Sequence, residues 1–142
     1  MDAAMFDDGS MRLGMVGRDS NGSVVVVSCK RDVRIRSMEE AEAKVVVVGL
    51  EVALRMGIEK VHIETDSLIV VNELNGRTPR RNYLGVLIDD IIHVLSSFVS
   101  SCCSHVKRGG NTVAHLCARL CTRRGNEVVY VTDFPQAILS LA

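Results

Sequence analysis

Ser37-Met38-Glu39-Glu40-Ala41-Glu42-Ala43-Lys44-Val45-Val46-Val47-Val48-Gly49-Leu50 decides the fold, because it can be read in two ways. Four consecutive valines lose side-chain freedom against the preceding turn of a helix, and alone they suggest a strand. The first four residues say otherwise. Ser37 can accept from a backbone N–H three residues on and Glu40 can reach back, the reciprocal pattern of a capping box. No turn signal interrupts residues 38–56, which is longer than ordinary strands, and Gly57 supplies a stop. The stretch is therefore read as a helix over 38–56. Apolar side chains lie on nearly every face of it, which places it at the centre of the core.

Downstream, Lys60-Val61-His62-Ile63-Glu64-Thr65 alternates as a strand does, and Asp66-Ser67 then opens a short helix over 68–74 that Asn75-Gly76 closes. Asp66 thereby falls at a strand's end. Leu84, Leu87, Ile88, Ile91, Leu95 and Phe98 recur at helical spacing, and residues 102–107 read as a further strand. Asn111 caps a last helix that turns Val113, Leu116, Cys117 and Leu120 to the core and His115 to the opposite face. Upstream, residues 2–6 read as the end of a strand entering the turn Asp7-Asp8-Gly9-Ser10. The apolar stretches 11–17 and 23–29 flank Asn21-Gly22, a strong hairpin signal. The order β-β-β-α-β-α-α-β-α predicts an α/β fold, a mixed sheet flanked by helices.

The 142 residues make one domain, 1–142, and 47% hydrophobic with only two prolines is the composition of a packed globule. The valine runs at 24–27 and 45–48 fall far short of the roughly 20 apolar residues a membrane helix needs. The opening Met1-Asp2-Ala3-Ala4 has the character of neither a secretory nor a transit leader, so a soluble, intracellular protein of cytoplasm or nucleus is expected. Five cysteines, an odd number with Cys102 and Cys103 adjacent, argue for reduced thiols rather than a disulfide framework. Seventeen basic and seventeen acidic side chains cancel, which excludes nucleic-acid attraction by bulk charge. Any such binding must rest on local clusters, at 30–36, 77–81, 107–108 and 119–124.

Three acidic residues stand out by position: Asp2 on the first strand, Glu42 inside the apolar helix and Asp66 at the fourth strand's end. Carboxylates on such elements are normally paired or bound to metal. Asp2-Ala3-Ala4, Gly14 through Gly22, Ala41-Glu42-Ala43, Glu64-Thr65-Asp66-Ser67, His105-Val106-Lys107-Arg108 and Asn111-Thr112-Val113-Ala114-His115 follow in the order found in one family. The chain resembles the reverse-transcriptase-like ribonuclease H domains of plants over nearly its whole length, the tail from Tyr130 to Ile138 included.

That resemblance implies a ribonuclease H-like fold, a mixed five-stranded sheet with helices on both faces. It implies two-metal hydrolysis of phosphodiesters in RNA–DNA hybrids, with Mg²⁺ as cofactor and Mn²⁺ as the alternative. Carried over by motif, Asp2, Glu42 and Asp66 are the metal ligands and the catalytic carboxylates. His115 stands where active relatives have a fourth acidic ligand. Ser67, Lys107, Arg108 and Asn111 fall where the nucleic acid is held. A neutral imidazole is a poor partner for Mg²⁺, and Gly109-Gly110 replaces a longer loop that carries a proton-transferring histidine in bacterial-type enzymes. Three readings follow, in this order: a hybrid-cutting endoribonuclease, a nucleic-acid-binding or interaction module of the same fold that has lost catalysis, and a purely structural domain within a larger chain. A monomer is expected.

Other readings of single residues fail on spacing. Cys117, Cys121 and the nearby histidines match no zinc module, and Cys117 reads as a core residue. His62-Ile63-Glu64 lacks the Pro-Cys-x-x-Cys partner of a deaminase, and Asp7-Asp8-Gly9-Ser10 has too few ligands for a calcium loop.

Overall fold

The N–H groups that open a helix need acceptors from outside it, and residue 37 supplies one. In the computed structural model, which describes residues 2–5, 11–32, 37–76, 82–107 and 127–130, Ser37 Oγ accepts from Glu40 N at 3.2 Å and α1 runs Met38–Arg55. Met56 caps its end and Gly57, at φ 76°, takes the left-handed conformation that turns the chain out. All four valines are buried within the helix, so burial against neighbours outweighs their weak helix propensity. Replacing Ser37 by alanine removes the acceptor and is expected to cost about 1 kcal/mol, read as a lower urea midpoint at unchanged slope.

Ahead of α1 lie β1 (Asp2–Met5), β2 (Met11–Arg18) and β3 (Val24–Asp32), an antiparallel meander. The hairpin between β2 and β3 uses more than Asn21-Gly22. Gly22 adopts φ 82°, and Asp19 Oδ1 accepts from the amides of Asn21 and Ser23 at 2.9 and 3.0 Å. Leu13 and Met15, alternate residues of β2, are buried on the face that meets α1, and Val26 of β3 joins Met15 and Val52 there. Val27 and Cys29 are buried as well, so both faces of β3 are covered.

After α1 come β4 (Lys60–Thr65), α2 (Leu68–Gly76), α3 (Tyr83–Leu95), β5 (Ser100–His105) and β6 (Glu127–Tyr130). Asn82 caps α3 by accepting from Gly85 N at 2.9 Å, and Leu84, Leu87, Ile88 and Ile91 pack with Val46 and Leu50 of α1 in the main core. Phe98 lies beyond the helix yet reaches the same core. β5 begins two residues before the expected start, because its register follows β4 from Lys60↔Ser100 to Thr65↔His105. β6 was not expected: it pairs antiparallel with β3, from Lys30↔Glu127 to Val27↔Tyr130.

The single five-stranded sheet expected from the sequence is not what the described ladders form. They make a four-stranded antiparallel set, β1-β2-β3-β6, and a parallel pair, β4-β5. β1 is only four residues long, and no described ladder joins it to β4. The last helix expected from Asn111 lies outside the described residues. Among those described, no helix is long and apolar enough to cross a membrane.

Of the five cysteines, Cys29, Cys102 and Cys103 are described and take part in no disulfide. Burial, and then the neighbouring Cys102, push the Cys103 thiol up to about 11 from 9.0. A rise of that size leaves about a hundredfold less thiolate near neutral pH. Alkylation by iodoacetamide, mapped by mass spectrometry, is expected to label exposed Cys102 at least tenfold faster than Cys103.

Candidate functional site

Three element ends converge beside the parallel pair. At the start of α1, Glu39 and Glu42 are spaced i, i+3 and so share one helical face. Glu39 is exposed, whereas Glu42 is buried, at 9% exposure.

At the end of β4 the chain is held on both sides of Asp66. Thr65 is fully buried; its carbonyl accepts from Val106 N at 3.0 Å and its Oγ1 from Ser67 N at 3.1 Å. Ser67 Oγ in turn accepts from Val70 N at 3.3 Å and caps α2. Asp66 thus leaves a pinned backbone, half-buried, where the strand stops. The same Thr65–Val106 bond ties in the end of β5, which places His105 opposite Thr65 and Lys107 two residues beyond.

These pieces enclose a crevice of about 490 Å³ lined by Glu39, Glu42, Asp66, Ser67, His105 and Lys107. It opens at the carboxyl ends of parallel strands, where α/β sheets usually hold ligands. Three carboxylates against one ammonium make it acidic, although the chain as a whole is neutral. Such a crevice attracts cations, and Lys107 gives it one point of attachment for an anion.

Of the residues singled out from the sequence, Glu42, Asp66, Ser67 and Lys107 meet here. Asp2 opens β1 opposite Gly14 of β2, on a strand that packs against α1; its carboxylate lies outside the described residues. His115, Arg108 and Asn111 also lie outside them. Among the described residues, no three His, Cys, Asp or Glu side chains form a metal-binding group. Ser67 already spends its hydroxyl oxygen on the α2 cap, a structural duty that the sequence pattern had indicated. Glu39 and His105 were missed as site residues. The i, i+3 spacing to Glu42 could have found Glu39, but only the β4–β5 register brings in His105.

The sequence profile of the family described as reverse transcriptase-like matches residues 1–121, which leaves β6 beyond the match. No protein of curated function matches significantly. The structure is similar to RNase H1 from the halophilic archaeon Halobacterium salinarum NRC-1, with TM-score 0.75 and 23% identity over 82% of this chain and 89% of that one. It is similar also to the N-terminal RNase H domain of a Mycobacterium tuberculosis protein, solved as a fusion with maltose-binding protein. The TM-score there is 0.74 at 25% identity, over 83% of this chain and 86% of that one. LC11-RNase H1 in complex with an RNA/DNA hybrid gives 0.70 at 21%, over 82% and 88%. A sequence matched over most of its length and a backbone that follows these enzymes agree: the chain has a ribonuclease H-like fold and belongs to the reverse transcriptase-like family.

Proposed function

We propose that this protein is an endoribonuclease that cuts the RNA strand of RNA–DNA hybrids with the help of divalent metal. The observation that carries the reading is the meeting of Glu42 and Asp66, distant in sequence, in one acidic crevice beside Lys107. Their oxygens are hard donors of the kind Mg²⁺ prefers, with Mn²⁺ as the alternative. Glu42 and Asp66, joined by Asp2 from β1, would hold the metal, which when bound supplies an activated water and charge for the leaving oxygen. Lys107 and Arg108 engage phosphates, and Ser67 and Asn111 add polar contacts along the backbone. Hybrids are read through groove shape, phosphates and 2′-hydroxyls, so a few such contacts suffice without base recognition. The LC11 relative holding an RNA/DNA hybrid supports the choice of substrate.

The test is incubation of the purified chain with an end-labelled hybrid, beside double-stranded DNA and single-stranded RNA, in Mg²⁺, in Mn²⁺ and in chelator. Cleavage of the RNA strand of the hybrid alone, absent in chelator, is the expected result. Because His115 replaces the fourth carboxylate, rates in Mn²⁺ should exceed those in Mg²⁺. His115→Asp should raise the Mg²⁺-dependent rate about tenfold or more. An unchanged rate in that variant would remove His115 from the site.

The second reading, a binding module without turnover, is favoured by that same histidine and by the neutral charge. Its signature is salt-dependent retention of hybrid with no product in either metal. For either reading we expect an intracellular, monomeric protein.

A further inference from the structure

His105 lines the acidic crevice but has no part in the proposed cleavage. Strand alternation fixes where it points. In β5, Cys103 and His105 share one face, and Cys103 packs against the main core, so the exposed imidazole stands on the side where α1 begins. The register sets its depth, opposite Thr65, and the 3.0 Å bond from Val106 N to the Thr65 carbonyl holds the backbone just past it. His62 differs: it lies on the other face of the pair, with its Nε2 2.6 Å from Ser104 Oγ. Among the described residues that line the crevice, His105 is the one imidazole, and no described group is bonded to it.

The other polar groups of the crevice are specialised. Glu39, Glu42 and Asp66 only accept hydrogen bonds when ionised, Lys107 only donates, and the Ser67 oxygen already accepts from Val70 N. A neutral imidazole does both at once, one nitrogen donating while the other accepts. In the proposed function Lys107 holds one phosphate, and the carboxylates, with metal, hold another. Away from those two anchors the carboxylates repel phosphate, so what His105 meets is a neutral part of the strand. Between successive phosphates that part is a sugar. In an A-like duplex the ribose shows its 2′-hydroxyl in the wide, shallow minor groove. That hydroxyl is itself donor and acceptor, as a neutral imidazole is.

We infer that His105 reads the 2′-hydroxyl of the RNA strand and so sets the preference for ribose over deoxyribose in that strand. This role rests on the nucleic-acid reading of the crevice, though not on turnover: a binding module would show it as an enzyme does. A deoxyribose offers the imidazole nothing, and the loss of one hydrogen bond corresponds to about fivefold in affinity. Neutral groups release no counterions, so His105→Ala should leave the salt dependence of binding unchanged, whereas Lys107→Ala should lower its slope by about one.

The experiment titrates the full chain, in chelator, into fluorescently labelled duplexes of one sequence: an RNA–DNA hybrid, the same hybrid with fluorine in place of every 2′-hydroxyl of its RNA strand, and double-stranded DNA. Fluorine keeps the A-like sugar but cannot donate and scarcely accepts, so the two hybrids differ in hydrogen bonding and not in shape. The wild type is expected to bind the hydroxyl hybrid more tightly than the fluorine hybrid. His105→Ala should reduce that ratio about fivefold, while its affinity for the fluorine hybrid and for DNA stays within about twofold of wild type. His105→Phe keeps a ring but no nitrogen and should behave as the alanine variant does. Because the residue is exposed, circular-dichroism melts should show both variants to be as stable as the wild type. Any of four results overturns the inference and leaves the nucleic-acid reading in place: a wild type indifferent to fluorine, an unchanged ratio in His105→Ala, an equal loss on every duplex, or a phenylalanine variant that keeps the preference. A wild-type chain that binds none of the duplexes overturns both.

Discussion

Asp66→Asn is expected to lower cleavage of an RNA–DNA hybrid by more than about a hundredfold, since changing even a second-layer partner of a metal ligand typically costs 10- to 100-fold. The exchange is nearly isosteric and removes one negative charge. The backbone on either side of Asp66 is held by Thr65, Ser67 and Val106 through bonds that the variant keeps. The loss should therefore appear in turnover and not in folding. Removing one of three carboxylates that share a crevice relieves repulsion, so the melting temperature without metal should hold steady or rise slightly. Metal-free binding of the hybrid, which rests on Lys107 and its neighbours, should survive. A variant that still cuts at the wild-type rate would remove Asp66 from the mechanism. A wild-type chain that binds but never cuts would instead select the binding module.

Leu87→Ala carries the largest expected cost in stability. Leu87 is among the largest fully buried side chains and lies where α3 packs against α1, in a core shared with Val46, Leu50 and Ile91. Truncation there loses transfer energy and leaves a cavity, together about 2–5 kcal/mol. For a chain of this length, that corresponds to a fall on the order of 10 °C in melting temperature, measurable by circular dichroism. Leu87→Met, which keeps the volume, should cost under about 1.5 kcal/mol. Equal losses in the two variants would mean that shape rather than volume governs this interface. The consequence reaches the site, because α1 carries Glu42: a helix whose buried face loosens no longer holds that carboxylate against the end of β4.

Much of the architecture was legible because the forces concerned act over a few residues. The capping box at Ser37 marked the start of a helix, the length without a turn signal decided for it against the valine run, and α1 is that helix, buried as its composition required. The spacing from Leu84 to Ile91 marked the packing face of α3, although the cap at Asn82 was not singled out. Asn21-Gly22 marked a hairpin whose actual turn also needs the carboxylate of Asp19. Less legible were residues with weak local preference. Ser100 and Ser101 carry no alternation of their own and enter β5 only because Lys60 and Val61 lie beside them. β6 has four residues and exists through its pairing with β3.

The candidate site divides in the same way. Glu42 could be singled out because a carboxylate inside an apolar helix breaks a local rule, and Asp66 because it falls where a strand ends and a helix opens. That they share a crevice, and that His105 and Glu39 join them, are matters of tertiary structure. By itself the amino-acid order determined which segments coil and which extend, because capping, periodicity and turn chemistry are interactions between near neighbours in the chain. Only the folded chain decided which strands pair and which side chains meet at the crevice, because pairing between distant segments depends on loop closure, register and the burial of shared faces, none of which is written in any one stretch of residues.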